Sequence, residues 1–95
     1  ELDSASIEEL NKLIAHLLKN PNLVIEIQGH TDDIGSKQDN QILSEKRAEV
    51  IFDYLRKRVE NKLIYRGFGE EKPLQPNKDE ESRRINRRTS FVIIY

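Results

Sequence analysis

Two side chains of opposite charge, Asp32 and Arg47, are the residues of this chain whose types and spacing best suit ligand binding. Asp32 follows a run rich in β-branched residues at positions 23–28, and Arg47 lies in a segment with helical periodicity. Because the end of a strand and the start of the next helix meet at one edge of a sheet, we expect the two charges to face a shared pocket. Such a pair suits a ligand that carries both an ammonium and a carboxylate.

The position of Arg47 within its segment is the sharper signal. It comes four residues after Leu43 and four before Ile51, so helical spacing places it on the apolar stripe that should face the sheet. A buried guanidinium without a partner is costly, so Arg47 needs an anion, a ligand or a path to water. The alternative is an arginine at the edge of the stripe that extends its charged head into solvent.

Other polar residues near this pair do not predict catalysis or a metal centre. Adjacent carboxylates such as Asp32 and Asp33 are typical of turns, and they lack the geometry of a glycosidase pair and the spacing of a calcium loop. A lone histidine such as His30 is expected to orient a loop through a hydrogen bond. Ser36 and Ser44 have no histidine at a catalytic spacing and are expected to act as helix caps. We therefore expect neither enzymatic activity nor a cofactor.

A second group of candidates is a cluster of four arginines at positions 83, 84, 87 and 88. Nucleic-acid binding is one interpretation, but acidic residues at positions 79–81 precede the cluster and no aromatic residues are interleaved with it. The arginines can instead pair with those acids, or one of them can help to hold the carboxylate of a small ligand. We expect no nucleic-acid partner.

The overall composition limits the class of protein. The chain has 95 residues, a net charge of -1 and no cysteine, which predicts a modest core without disulfides or thiolate zinc sites. The small net charge gives no general attraction to nucleic acid or anionic lipid. No apolar run is long enough to span a bilayer. We expect residues 1–95 to form a single domain, excised from a larger protein.

Alternating helix and strand patterns must position the candidate side chains. The predicted order is a helix that Ser6 caps in a capping box with Glu9, a strand over residues 23–28, a helix over residues 41–58, a strand over residues 63–66 and a strand over residues 89–95. Residues 70–79 are polar and contain two prolines, which predicts irregular structure. This order predicts an α+β fold, a two-layer sandwich with helices on one face of a small mixed sheet.

Apolar periodicity also predicts which faces are buried. Ile25 and Ile27 alternate with polar residues, which is typical of a strand with one buried face. The buried face of the second helix is predicted to consist of Leu43, Val50, Ile51, Tyr54 and Leu55. The sheet of three short strands is narrow for two helices, so we expect a first strand to be missing from this chain.

Several motifs, in register over nearly the whole chain, resemble the OmpA-like C-terminal domain of outer-membrane porin anchors, Pal lipoproteins and MotB stator proteins. The N-terminal half contains Asn20-Pro21-Asn22-Leu23, Gly29-His30-Thr31-Asp32 with Gly35, Asn40, Leu43-Ser44 and Arg47-Ala48. The C-terminal half contains Tyr65-Arg66-Gly67-Phe68-Gly69, Pro73, Asn77, Arg83 and Asn86-Arg87-Arg88. Several motifs at their expected spacing are more specific than any one of them.

The resemblance implies a role for the pair that the spacing selects. Members of this family bind peptidoglycan non-covalently through the diaminopimelate residue of the stem peptide. They use an aspartate and an arginine that correspond here to Asp32, for the ammonium, and Arg47, for the carboxylate. Further contacts are implied at the rim of the pocket and in the arginine cluster, from Thr31, Asn40, Arg88 and, as the alternate to Arg88, Arg87.

The same resemblance implies a place in the cell. It predicts a protein of the Gram-negative periplasm, associated with the outer membrane and the cell wall, whose N-terminal part is attached to a membrane and which has envelope proteins as partners. The sequence departs from the family pattern at its start, because the usual first strand, rich in Phe and Asp, is absent before Glu1. In relatives the end of that strand contributes to the pocket. The alternative function is a scaffold or dimerisation domain that has this fold and does not bind peptidoglycan.

Overall fold

The computed structural model describes residues 4–94. Within this range the chain forms helices α1 (Ser4–Lys19), α2 (Lys37–Arg56) and α3 (Glu80–Asn86), and strands β1 (Ile25–Gly29), β2 (Leu63–Gly67) and β3 (Thr89–Ile93). The strands form a mixed sheet in the order β2-β1-β3, in which β2 is parallel and β3 antiparallel to β1. The predicted α+β architecture with a small mixed sheet is confirmed. None of the described helices has the length and apolar character that crossing a membrane requires.

The core lies between β1 and the two longer helices. Burial alternates along β1, where Ile25 and Ile27 are fully buried as the periodicity predicts. Leu10 and Leu17 contribute the buried face of α1. The rest of the core cluster consists of Ala48, Ile51, Leu55 and Val59. Full burial of one large aliphatic side chain contributes about 1.5–3 kcal/mol, so these few residues dominate the stability of the fold.

The face that α2 turns toward the sheet is smaller and more polar than the sequence predicts. Its buried residues are Asn40, Ser44, Ala48, Ile51 and Leu55. Leu43 and Val50, predicted to be in the core, are 42% and 39% exposed, so this part of the prediction is wrong. The helix is rotated relative to the predicted stripe because its contact with the sheet requires small side chains.

Two glycines at the ends of the parallel strands create that requirement. A Cβ atom on Gly29 would lie 2.0 Å from the backbone oxygen of Ser44, and one on Gly67 would lie 2.5 Å from the hydroxyl oxygen of the same serine. The backbone of α2 therefore lies almost directly on the ends of β1 and β2. This close approach brings the next positions of the helix, including Arg47, to the end of β1.

The starts of the two longer helices differ from the prediction. Ser4 and Ala5 already belong to α1, so the prediction that Ser6 caps this helix is wrong. α2 begins at Lys37 rather than near residue 41. Ser36 caps it, as expected of this serine, because its hydroxyl accepts a hydrogen bond of 3.0 Å from the backbone N–H of Asp39.

The helix α3 is absent from the predicted order, which treats this part of the chain as a basic segment before the last strand. Asp79 caps α3 in a capping box with Ser82, whose backbone N–H donates to the Asp79 carboxylate at 2.9 Å. Acidic residues occupy its first turn and arginines its last turn, an arrangement that complements the helix dipole. The strand that follows ends at Ile93, and the part of the prediction that concerns Tyr95 lies outside the described residues.

Candidate functional site

The loop between β1 and α2 is fixed by its own backbone and by neighbouring segments. The N–H of His30 donates to the carbonyl of Arg88 at 2.9 Å, and the N–H of Thr31 donates to the carbonyl of Gly69 at 2.8 Å. Within the loop, the N–H of Ile34 donates to the Asp32 carboxylate at 3.0 Å and closes a short turn. The direction of the Asp32 side chain is therefore determined by local geometry.

Asp32 is an ionised carboxylate in a buried position. It is 7% exposed, and its second oxygen accepts a hydrogen bond of 2.7 Å from Nη1 of Arg87. Burial by itself would raise the pKa of Asp32. The hydrogen bonds from Ile34 and Arg87, together with the nearby charge of Arg83, outweigh burial and lower the pKa below its usual value.

Two arginines hold the carboxylates of this loop, one on α3 and one directly after it. Arg83 pairs with Asp33 at 2.9 Å, while Arg87 bridges Asp32 and Glu80. Arg83 and Arg87 are four residues apart and therefore lie on one side of this helical turn. The sequence interpretation in which the arginines pair with the acids at positions 79–81 is correct for Arg87 with Glu80 and for Arg84 with Glu81, 3.7 Å apart. It does not anticipate the two pairs with the loop.

Arg47 reaches the same loop but does not pair with its carboxylates. The side chain is half-buried, and its Nη1 donates to the carbonyl of His30 at 3.2 Å. Among residues 4–94, no carboxylate lies within ion-pair distance of Arg47. Arg47 and Asp32 thus lie near the same end of β1. Arg47 is held by the carbonyl of His30, whereas Asp32 is held by Ile34 and Arg87.

A groove of about 870 Å³ lies between α1, α2 and β3. Four cationic side chains line it, namely Lys46, Arg47, Arg87 and Arg88, together with the acid Glu9. Its apolar lining includes Leu43, Val50, Ile51 and Phe91. Leu43 and Val50, which helical periodicity predicts to be in the core, therefore belong to the wall of this groove.

Arg88 is held in place by two backbone carbonyls. Its guanidinium donates to the carbonyl of Lys72 at 2.9 Å and to that of Asn86 at 3.4 Å. Its Nε is buried and has no hydrogen-bond partner among residues 4–94. Burial lowers the pKa of Arg88, but an arginine remains charged at any physiological pH.

His30 is buried at the end of β1, next to Arg88. It is 2% exposed, and its ring stacks on Phe68 with the ring centroids 5.5 Å apart. Neither ring nitrogen has a hydrogen-bond partner among the described residues, so the loop is oriented by the backbone of His30 and not by its side chain. Burial and the positive charges of Arg88 and Lys72 lower the pKa of His30 to about 4, which keeps the ring neutral at pH 7.

Thr31, within the loop, and Asn40, on α2, both donate hydrogen bonds to the loop backbone. Both are buried, and the Thr31 hydroxyl donates to the carbonyl of Asp32 at 2.9 Å. The Asn40 amide donates to the carbonyls of Asp32 and Ile34 at 3.2 and 3.0 Å, and to Glu70 at 3.1 Å. Their observed contacts stabilise the loop, and a direct contact with a ligand stays a prediction. No group of three or more histidine, cysteine or carboxylate side chains in the described part of the chain is arranged to hold a metal ion.

Sequence reasoning did not select Lys46, Phe68 or Lys72 for this site. Lys46 precedes Arg47 and could have been found from helical spacing, because it lies three residues after Leu43 on the face that lines the groove. Phe68 and Lys72 belong to the segment after β2. No local pattern in the sequence predicts that this segment lies against His30.

Comparisons with known proteins agree in fold and in sequence. The family model of the OmpA family matches residues 1–87. The chain is 32% identical over 93 residues to the peptidoglycan-associated lipoprotein of Legionella pneumophila, covering 96% of this chain and 53% of that protein. It is 34% identical over 91 residues to the peptidoglycan-binding protein ArfA of Mycobacterium bovis, covering 94% of this chain and 28% of that protein.

A solved structure extends this agreement to three dimensions. The crystal structure of the peptidoglycan-associated lipoprotein from Burkholderia pseudomallei matches with a TM-score of 0.89 at 29% identity, over 98% of this chain and 80% of that chain. The chain spans about half the length, or less, of the two curated relatives named above.

Proposed function

The chain belongs to the OmpA family, and from this premise we propose that it binds peptidoglycan non-covalently, through the diaminopimelate of the stem peptide and without catalysis. The observation that carries the proposal is the position of Arg47 in a cationic groove, at the strand end that also holds the ionised Asp32. The names of the two relatives, one peptidoglycan-associated and one peptidoglycan-binding, support the choice of ligand.

Arg47 is suited to the carboxylate of the ligand. Its contact with the protein is a hydrogen bond to the neutral carbonyl of His30, which leaves its positive charge without a carboxylate among the described residues. A ligand carboxylate would supply the missing charge, and the fork of a guanidinium matches a carboxylate in a bidentate geometry.

Asp32 is suited to the ammonium of the same ligand, although its carboxylate is already paired with Arg87. The free end of diaminopimelate carries both charges on one carbon, so its ammonium can take the place of Arg87 beside Asp32. Arg87 keeps Glu80 as a partner and can turn toward the ligand carboxylate. No charge is left unpaired in this exchange, which limits the cost of desolvation.

The remaining predicted residues have supporting roles in this proposal. Arg88 lines the groove and can contact a ligand carboxylate while the carbonyl of Lys72 holds its guanidinium. Thr31 and Asn40 act by holding the loop that carries Asp32.

This mechanism discriminates between peptidoglycan types. A lysine-type stem peptide has the ammonium but not the carboxylate, so binding would desolvate Arg47 without giving it a partner. The loss of one charged hydrogen-bond partner weakens binding by about 1.5–3 kcal/mol.

The proposal also assigns a location and partners. A domain that binds the cell wall acts in the bacterial envelope, and we propose the periplasm of a Gram-negative bacterium, where it would connect the wall to the outer membrane or to an envelope complex. Attachment of the parent protein to a membrane through its N-terminal part, and contacts with other envelope proteins, belong to the same proposal. The relative named as a lipoprotein supports the attachment.

NMR titration of the folded domain with a diaminopimelate stem peptide tests the proposal, with a lysine-type peptide for comparison. We expect saturable shifts near Asp32 and Arg47 for the first peptide and much weaker binding of the second. Arg47→Gln should abolish the shifts while the protein stays folded. Arg84→Gln is the matched control, because Arg84 is an exposed arginine that does not line the groove.

Two results would contradict the proposal. The first is equal affinity for the two peptides, which would remove the role of the carboxylate. The second is the absence of any shift in a well-folded domain, which would favour the scaffold function instead.

A further inference from the structure

The groove carries more positive charge than one zwitterionic group requires. Among residues 4–94, four cations line it, at positions 46, 47, 87 and 88, against the one acid Glu9. Glu9 itself pairs with Lys12 on α1 at 3.3 Å. The net charge of the chain is -1, so the excess of positive charge is a local property of the groove.

In the part of the chain that the structure describes, three of these four cations have no carboxylate partner. Arg87 is neutralised by Asp32 and Glu80, whereas Arg88 donates to backbone carbonyls. For Lys46 and for Arg47, no carboxylate among residues 4–94 lies within ion-pair distance. A diaminopimelate zwitterion brings one free carboxylate, which matches Arg47 and leaves Lys46 and Arg88 unmatched.

Lys46 is an exposed residue of α2 that lines one wall of the groove. Leu43, Lys46, Arg47 and Val50 follow the three- and four-residue spacing of one helix face, and all of them line the groove. Lys46 lies between Leu43 and Val50 on this face, with its side chain exposed. Its ammonium can therefore approach an anion that binds in the groove.

We propose that Lys46, with Arg88 from the β3 side of the groove, forms a second carboxylate subsite. The groove then selects stem peptides that carry, next to the diaminopimelate zwitterion, another carboxylate that is free and not amidated. This inference rests on the proposed function, since it names a further feature of the ligand bound at the same site. A volume of about 870 Å³ is large enough for several residues of a peptide.

Two synthetic stem peptides test the subsite, both with the same diaminopimelate zwitterion. In one, the carboxylate of the neighbouring residue is free; in the other it is a primary amide. We expect amidation to weaken binding to the wild-type domain by about tenfold, since it removes one charged group from two cations. Lys46→Gln should reduce this discrimination to about twofold, with a fall of about fivefold in affinity for the free acid.

The matched control is Lys62→Gln, which removes the same charge at an exposed lysine outside the groove. It should bind both peptides like the wild type, and NMR spectra of both variants should show the native fold. Equal binding of the two peptides by the wild type would overturn the subsite while leaving the diaminopimelate proposal intact. An equal effect of Lys62→Gln would also overturn it, because the discrimination would then come from long-range charge. No binding of either peptide would overturn the proposed function itself.

Discussion

Asp32 and Arg87 are 55 residues apart in the chain and 2.7 Å apart in the structure. Their ion pair connects the loop after β1 to the C-terminal end of α3. The pair between Asp33 and Arg83 is a second connection of the same kind. The carboxylate proposed to bind the ligand ammonium is therefore occupied by an internal cation in this structure. Binding becomes an exchange of ionic partners, and its affinity depends on how strongly α3 holds the loop.

Substitution of Asp32 should separate the two functions of its carboxylate. Asp32→Asn keeps an oxygen that can accept from the N–H of Ile34 but loses the charge that pairs with Arg87. We expect it to fold with a loss of about 1.5–3 kcal/mol in unfolding free energy and to lose ligand binding. Asp32→Ala also removes the turn hydrogen bond and should cost about 1 kcal/mol more. Urea denaturation measures the difference, and equal stability of the two variants would show that the turn hydrogen bond contributes nothing.

Gly29→Ala should weaken both the fold and ligand binding. The new Cβ would lie 2.0 Å from the backbone oxygen of Ser44, so α2 has to move away from β1 at a cost of about 3 kcal/mol. Arg47 moves with the helix, and its contact with the carbonyl of His30 is lost. Gly35→Ala is the comparison: its nearest neighbour would be 3.8 Å away, and its φ of 94° predicts a smaller cost of about 1–2 kcal/mol. A Gly29→Ala variant as stable as the wild type would disprove the close contact.

The neutral His30 should make the domain less stable as the pH falls from about 6.5 to about 4. The unfolded chain binds a proton near pH 6.5, whereas the folded protein resists protonation of His30 until about pH 4. The unfolded state therefore holds more protons between these values, and the free energy of unfolding decreases by about 3 kcal/mol across the window. Asp32 and Asp79 have lowered pKa values, so their contributions are lost only at pH values below about 3.8.

Denaturation at a series of pH values, with two histidine variants, checks this assignment. His30→Phe keeps a ring that can stack on Phe68 but cannot titrate, so the decrease between pH 6.5 and 4 should largely disappear. His16→Gln changes an exposed histidine on α1 and should retain the wild-type decrease. If His30→Phe retained the full decrease, another group would have to be responsible.

Asn86→Ala should release the segment after β2. The Asn86 side chain is fully buried, accepts from the N–H groups of Leu74 and Gln75 at 2.8 and 3.2 Å, and donates to the Gln75 carbonyl and the Asn77 side chain. Its removal breaks these four hydrogen bonds and empties a fully buried position, at a cost of about 3 kcal/mol. Asn22→Ala, at an exposed asparagine, should change the unfolding free energy by less than about 0.5 kcal/mol. Thermal denaturation of both variants distinguishes a specific role of Asn86 from a general effect of losing an asparagine.

The parts of the fold predicted correctly are those with a strong local signal. The alternation of Ile25 and Ile27 predicts β1 and its buried face. The spacing around Arg47 predicts a half-buried arginine, whereas a pocket shared with Asp32 stays a prediction, because Asp32 does not line the groove. The same spacing misassigns Leu43 and Val50, because hydrophobicity does not distinguish the wall of a groove from a core. α2 contacts the sheet through its small residues because Gly29 has no side chain and lets the helix approach closely. This is a property of the facing strand, and periodicity within the helix cannot show it.

The missing elements of the prediction depend on contacts between distant parts of the chain. α3 has seven residues and little apolar surface, so its signal is restricted to Asp79 as a cap and the order of charges along the helix. The partner of Asp32 is Arg87 rather than Arg47 because α3 packs beside the loop, and nothing near Asp32 in the sequence indicates this. The resemblance to a family selected Arg87 and Arg88 as candidates without predicting which acid each of them contacts.

The central position of β1 in the sheet gives the domain a defined order of assembly during synthesis. Both neighbours of β1 emerge from the ribosome after it, and β3, which brings Arg88 beside His30, emerges after β2. A nascent chain that already contains Asp32 and Arg47 therefore has the pair but not the groove. Products that terminate before β3 would lack one side of the groove, so the proposed binding site forms only in chains that have been translated through β3.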